Sequence, residues 1–199
     1  MFKQVALLMM GLCFSLSLSC QDPSKKELKL YRQLYGIALD SFVEKKPSHF
    51  VLIDSSDNKA IKTINFSKYL NSSGLAKTFQ MDSSWVDFLR MADLKKTTLQ
   101  KTKLKDIKTI HTVRYFNRDT IFKIQRENHD VGKGIVNPYG WIDGVMTVST
   151  PILSKNHDKA IVEISYTRDE LDGNGGILLL EKRKNGSWVV IKYIRTWVA

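Results

Sequence analysis

Twenty acidic side chains and four histidines are the raw material for catalysis or metal binding in this chain of 199 residues. His49, His111, His129 and His157 never fall within five residues of one another, so no local pair is spaced to grip a metal ion. Neither a Gly-x-Ser-x-Gly elbow nor a His-Glu-x-x-His helix occurs, which removes two common routes to an activated nucleophile or zinc-bound water. A glycosidase needs two carboxyl groups about 5–10 Å apart across a cleft. Glu163, Asp169, Glu170 and Asp172 are the candidates to supply them. The same stretch imitates a calcium loop: Glu170, Asp172, Asn174, Gly175, Ile177 and Glu181 occupy positions 1, 3, 5, 6, 8 and 12 of an EF-hand. A calcium loop, however, starts on aspartate and is flanked by helices, whereas Ile164–Tyr166 and Ile177–Leu180 read as strands. A polar hairpin loop is expected there. Val131-Gly132-Lys133-Gly134 lacks the third glycine of a dinucleotide loop and the Gly-Lys-Ser/Thr ending of a P-loop. No catalytic residue, metal ligand or cofactor is therefore assigned.

The elements that would carry such groups follow from periodicity. Ser24-x-x-Glu27 is a capping box, and Leu28, Tyr31, Tyr35, Ala38 and Phe42 recur at helical spacing as far as Pro47. His49–Ile53 predicts a buried strand, and Ile61–Phe66 alternate as a second. Ser84-x-x-Asp87 opens another helix, with Trp85, Phe88, Leu89 and Ala92 on one face. From Ile107 the period becomes two: Ile107, His111, Val113 and Tyr115 face one way, and Lys108, Thr112 and Arg114 the other. Asn117-Arg118-Asp119 is expected to turn the chain back into a partner strand at Ile121–Ile124. After a glycine-containing loop at 127–140, strands are expected at Val145–Leu153, Ala160–Tyr166, Gly176–Lys184 and Trp188–Val198. Asn185-Gly186 signals a type I′ hairpin between the last two. Helices first and hairpins afterwards give an α+β class: N-terminal helices packed on an antiparallel β-meander sheet, covered on one face, in a single domain over residues 25–199.

The first residues read as an address. Lys3 is a short basic region, and Val5–Leu18 are apolar apart from Gly11 and small serines, a length that suits a signal-peptide core over residues 1–19 and not a membrane span. Leu16-Ser17-Leu18-Ser19-Cys20 resembles the lipobox of bacterial lipoproteins, in which the cysteine takes a diacylglycerol and becomes the new N-terminus. Ser17 stands where leucine is usual. Cleavage after Ser17-x-Ser19 by ordinary signal peptidase also fits the small-residue rule. Cys13 lies inside the signal core, so Cys20 is the sole cysteine of the mature chain. An internal disulfide is then impossible, and lipidation would alkylate a thiol otherwise exposed to an oxidising compartment. Residues 20–24 form the tether.

The formal charge of +11 is unevenly spread. Lys95, Lys96, Lys101, Lys103, Lys105, Lys108, Arg114, Arg118, Lys123 and Arg126 face only Asp106 and Asp119, a net +8 within 32 residues. Such clustering attracts anions over about one Debye length. Lys101, Lys103 and Lys105 share one parity just before the strand at Ile107, and are the candidate residues for an anionic surface. A face that is simply solvated beside an anionic bilayer is the plainer reading. No nucleic-acid motif accompanies the lysines.

Pro151-Ile152-Leu153, then Asn156–Tyr166 with Ala160-Ile161-Val162, then Gly175–Lys182, and finally Gly186-Ser187-Trp188 to Thr196-Trp197-Val198-Ala199 resemble a family of uncharacterised exported bacterial proteins, many of them lipoproteins. That family has a Gly-x-Trp hairpin and a closing Trp-Ile/Val-Ser. Thr150 occupies its arginine position, Leu153-Ser154 its Phe-Asn, and Ala199 its final serine. The likeness covers roughly the last sixty residues and implies no activity, cofactor or site residue. Two functions are left: a non-enzymatic, membrane-tethered binding or structural domain of the bacterial envelope, or an envelope hydrolase acting on glycan or peptide. The first implies lipid anchoring in the outer membrane or at a periplasmic face. Its partners would be anionic headgroups or an acidic envelope polymer.

Overall fold

The computed structural model describes residues 23–43, 49–66, 83–121, 123, 144–167 and 172–199. Helix α1 (Lys25–Phe42) begins at the predicted box: the Glu27 N–H donates to Ser24 Oγ at 3.2 Å, and the Ser24 N–H donates to the Glu27 carboxylate at 2.9 Å. It ends at Phe42, with Val43 already extended, five residues before Pro47. Strand β1 (His49–Ile53) follows, then helix α2 (Lys59–Thr63), helix α3 (Ser83–Lys95) with a 3-10 turn to Thr98, and strand β2 (Thr112–Phe116). The remaining strands are β3 (Gly144–Val148), β4 (Ile152–Leu153), β5 (Lys159–Thr167), β6 (Gly173–Lys182) and β7 (Trp188–Val198).

The class is α+β, built on a seven-stranded mixed sheet of order β2-β1-β3-β5-β6-β7, with β4 also paired to β5. From β3 to β7 every pairing is antiparallel, as the meander requires. The other half departs from it: β1 lies between β2 and β3 and is parallel to both. The predicted hairpin after β2 does not form, because residues 118–121 turn into a helix instead. Asn117 causes this by accepting the Thr120 N–H on its side-chain oxygen at 2.7 Å, an N-cap contact, and Ile121 then packs with Val51, Ile53 and Val145. Ile61–Phe66 is a second correction. Ile61 and Ile64 are buried while Lys62 and Thr63 are exposed, a spacing of three that belongs to a helix turn.

The sheet is covered on both faces, not one. Tyr31, Leu34, Tyr35, Ala38 and Leu39 of α1 pack on Phe50, Leu52, Met146, Val162 and Leu178. Trp85, Phe88, Leu89 and Ala92 of α3, the face read from the sequence, join Ile61, Ile161, Ile177 and Leu179 on the opposite side. Ala160–Ile164 and Ile177–Leu180 are accordingly buried at every position, as unbroken runs in doubly covered strands should be. The β6–β7 hairpin turns at Asn185-Gly186, but only Gly186 has positive φ, at 84°. Its N–H donates to Arg183 O at 2.8 Å, so the loop is a type I turn closed by a left-handed glycine, not type I′.

Candidate functional site

Residues 101–105 are fixed by a buried polar network. The Ser56 N–H donates to Thr102 O at 2.8 Å, the Leu104 N–H to Asp54 O at 2.7 Å, and the Thr102 N–H to Ser56 Oγ at 2.7 Å. The Ser56 and Thr150 hydroxyls are 2.7 Å apart, and Thr150 donates onward to Gln100 O at 2.6 Å. Asn58 braces the other end, donating to Gln100 O and accepting from the Thr150 N–H. Ser56, Asn58, Thr102 and Thr150 are all buried, where leaving a donor unmade costs about 1–3 kcal/mol. The network therefore dictates which side chains turn inward. Thr102 and Leu104 are buried, and Lys101, Lys103 and Lys105 are exposed.

The lysine parity read from the sequence holds, but its cause differs. β2 begins at Thr112, not at Ile107, and so does not extend back to these residues; Asp106, with a φ of 54°, separates them further from it. The segment instead docks beside the loop after β1, touching it through the Ser55–Lys103 bridge. The facing predicted for Ile107, His111, Val113 and Tyr115 also holds, with Lys108, Thr112 and Arg114 exposed.

Between this segment and the first turns of α1 lies a groove of about 420 Å³. Arg32 joins the three lysines on its rim, while Leu28, Tyr31, Tyr35 and Leu104 supply its apolar lining. Among the described residues, Lys101, Lys103 and Lys105 make no ion pair; Lys101 lies close enough to Asp57 to favour its charged form. Burial raises the Tyr31 phenol to about 12 and pushes Tyr35 higher still. The Tyr35 hydroxyl is buried beside those of Thr102 and Thr150. The arrangement can hold an anion at its rim and an apolar body beneath. Arg32 and the two tyrosines are not recognisable as site residues in the sequence, because α1 shows the tyrosines only as part of a packing stripe and Arg32 only as a charged position beside it.

A second polar locus lies on the other face of the sheet. Glu163, in the middle of β5, is 2% exposed, and burial followed by the nearby charge of Asp57 raises its carboxyl to about 8. Asp57 behaves oppositely: burial works against its charge, but the Lys59 N–H and the Arg118 guanidinium more than offset that and hold its carboxyl below the ordinary range. The Thr147 and Ser165 hydroxyls, 2.6 Å apart, lie on the same face by strand alternation. The pairing of Glu163 with Asp172 fails. Thr167 pairs with Gly173, so Asp172 is at least four strand positions from Glu163, roughly 13 Å along the strand, and it is exposed. Asp169 and Glu170 lie outside the described residues.

The calcium pattern dissolves for the same reason: Asn174, Gly175, Ile177 and Glu181 are in strand β6, paired on both sides. Among the described residues no group of three His, Cys, Asp or Glu side chains is placed to hold a metal. His111 is buried and tilted against the Phe50 ring at 5.3 Å, with Asp40 3.9 Å from Nε2; burial lowers its pKa, against the pull of Asp40. His157 is half-buried in the β4–β5 turn at a φ of 54°. Cys20, His129 and the Val131–Gly134 loop lie outside the described residues. No described helix is long and apolar enough to cross a membrane. The chain matches no protein-family model, no curated protein and no solved structure.

Proposed function

We propose that the protein is a non-enzymatic lipoprotein of the bacterial envelope: a domain tethered through lipid on Cys20, which presents Lys101, Lys103 and Lys105 to an anionic surface. One observation carries the reading. Three exposed cations project from a segment whose backbone is pinned by buried hydrogen bonds, on the rim of a groove that Pro23 also lines. Pro23 is three positions after Cys20, at most about 11 Å of extended chain, so a lipid on Cys20 would keep this rim at the bilayer surface. Each lysine near an anionic surface adds roughly 1 kcal/mol of attraction. The triple reversal K101E/K103E/K105E should abolish adsorption of the unlipidated mature chain to anionic vesicles while leaving its melting temperature unchanged. Equal adsorption of both forms would refute the proposal.

The second reading, an envelope hydrolase acting on glycan or peptide, is favoured by one observation, the protonatable Glu163 beside the ionised Asp57. Opposite shifts in neighbouring carboxyls are what acid–base chemistry uses. Glu163 lines neither the groove at α1 nor the smaller one beside Ser84 and Lys155.

A further inference from the structure

We infer that the groove between α1 and residues 101–105 is a binding site for one molecule of anionic phospholipid, with the phosphate held at the rim and the first part of an acyl chain laid over the floor. The inference deepens the reading above and rests on it for the source of the ligand, the membrane that holds the anchor.

Two features exceed what a solvated charged face needs. First, the groove is amphipathic in cross-section: Arg32, Lys101, Lys103 and Lys105 ring it, and Leu28, Tyr31 and Leu104 lie within. A free phosphate or a polysaccharide would use the rim and leave the apolar lining wet. A phosphate that carries a hydrocarbon chain uses both. Second, its volume of about 420 Å³ falls in the range of sites that enclose a small ligand or part of a larger one. Arg32 contributes a planar donor fork suited to phosphate, standing one residue along α1 from Tyr31.

The neighbourhood is electrically consistent. Asp57, the carboxylate on which Lys101 acts, is engaged by Arg118, and Asp106, next to Lys105, stands against the four cations of the rim, which keeps a net positive charge. Pro23, in the groove wall and three residues after Cys20, brings the opening to the headgroup layer, where one lipid can lift partly out of the leaflet without leaving it.

The test uses the full chain purified in a neutral detergent. It is titrated with short-chain phosphatidylglycerol, with the matching phosphatidylcholine and with glycerol phosphate, and complexes are counted by native mass spectrometry. One phosphatidylglycerol should bind per chain, roughly tenfold tighter than either control, the factor expected of a charged group seated with its apolar tail. Arg32→Gln should weaken that complex about tenfold, as for loss of a charged donor to phosphate, while leaving the melting temperature of the empty protein unchanged. Leu28→Gln should reduce phosphatidylglycerol binding to the level of glycerol phosphate. Equal binding of phosphatidylglycerol and glycerol phosphate, tighter binding of an acidic oligosaccharide, or an unchanged affinity in Arg32→Gln would overturn the lipid site. Any of these leaves adsorption to anionic vesicles intact, whereas failure of that adsorption defeats the underlying reading instead.

Discussion

Glu163 makes the stability of this domain depend on pH in a direction opposite to that of most carboxylates. Its side chain lies in the middle of β5 and is 2% exposed. Burial, and secondarily the Asp57 charge, raise its carboxyl from the ordinary 4.5 to about 8. A carboxyl with a raised folded-state pKa keeps its proton after the unfolded chain has lost its own. The stability it contributes is therefore complete below pH 4.5 and lost as the pH climbs to about 8. Each pH unit in that window costs about 1.4 kcal/mol, so the full shift corresponds to about 5 kcal/mol, comparable to the whole stability of a marginal domain. Asp57, held ionised by Arg118 and Lys59, loses stabilisation only toward acid and does not confuse the window. Urea unfolding at a series of pH values between 5 and 9 gives the measurement. Glu163→Gln, a neutral mimic of the protonated acid, should remove most of the decline, so that the difference between variant and wild type grows by several kcal/mol toward pH 9. Parallel curves for the two proteins would refute the reasoning, since they would mean that Glu163 is ionised in the folded state across the range.

Gly36→Ala would place a Cβ 2.1 Å from the Lys108 carbonyl oxygen; prying α1 from that backbone should cost about 2 kcal/mol and lower the urea midpoint accordingly. Millimolar calcium should leave the melting temperature unchanged and Asp172→Ala should alter it little, because the look-alike residues are locked in β6; true binding at 100 times the dissociation constant would add about 2.7 kcal/mol, and a shift of several degrees that Asp172→Ala removes would contradict the strand assignment. Cys20→Ser should abolish retention by membranes washed at high salt and leave an uncleaved or soluble form, since acyl chains contribute about 0.8 kcal/mol per buried methylene; equal release of both forms would end the lipoprotein reading.

What the sequence disclosed depended on the range of the interaction involved. The α1 cap, the buried face of α3 and the alternation from Ile107 to Tyr115 are set by neighbours within four residues, and each was legible. The parallel pairing of β1 with β2 and β3 was not, because register across separated segments leaves no local trace beyond the apolar strand itself. Ile61–Ile64 fit alternation and helix spacing about equally over so few residues, and the Asp57 side chain accepting the Lys59 N–H decided for the helix. Continuous apolar runs in β5 and β6 did carry the signal that both sheet faces are covered. For the groove, the lysine parity was readable, but the reason for it was not: Ser56, Asn58, Thr102 and Thr150 meet across nearly a hundred residues. Arg32 and Tyr35 enter the site only because α1 crosses that segment, which no spacing rule foretells.

The central claim, that the lysine rim engages an anionic surface, is tested most directly by cosedimentation of the mature chain carrying Cys20→Ser with vesicles containing phosphatidylglycerol, as salt is raised from low to physiological and above. The wild-type rim should bind at low ionic strength, release steeply as screening shortens the Debye length below about 10 Å, and ignore vesicles of phosphatidylcholine alone. K101E/K103E/K105E, a change of six charges, should fail to bind at any salt concentration with an unaltered melting temperature. A wild-type chain that remains in the supernatant at low salt, or a triple variant that sediments as well as the wild type, would contradict the account.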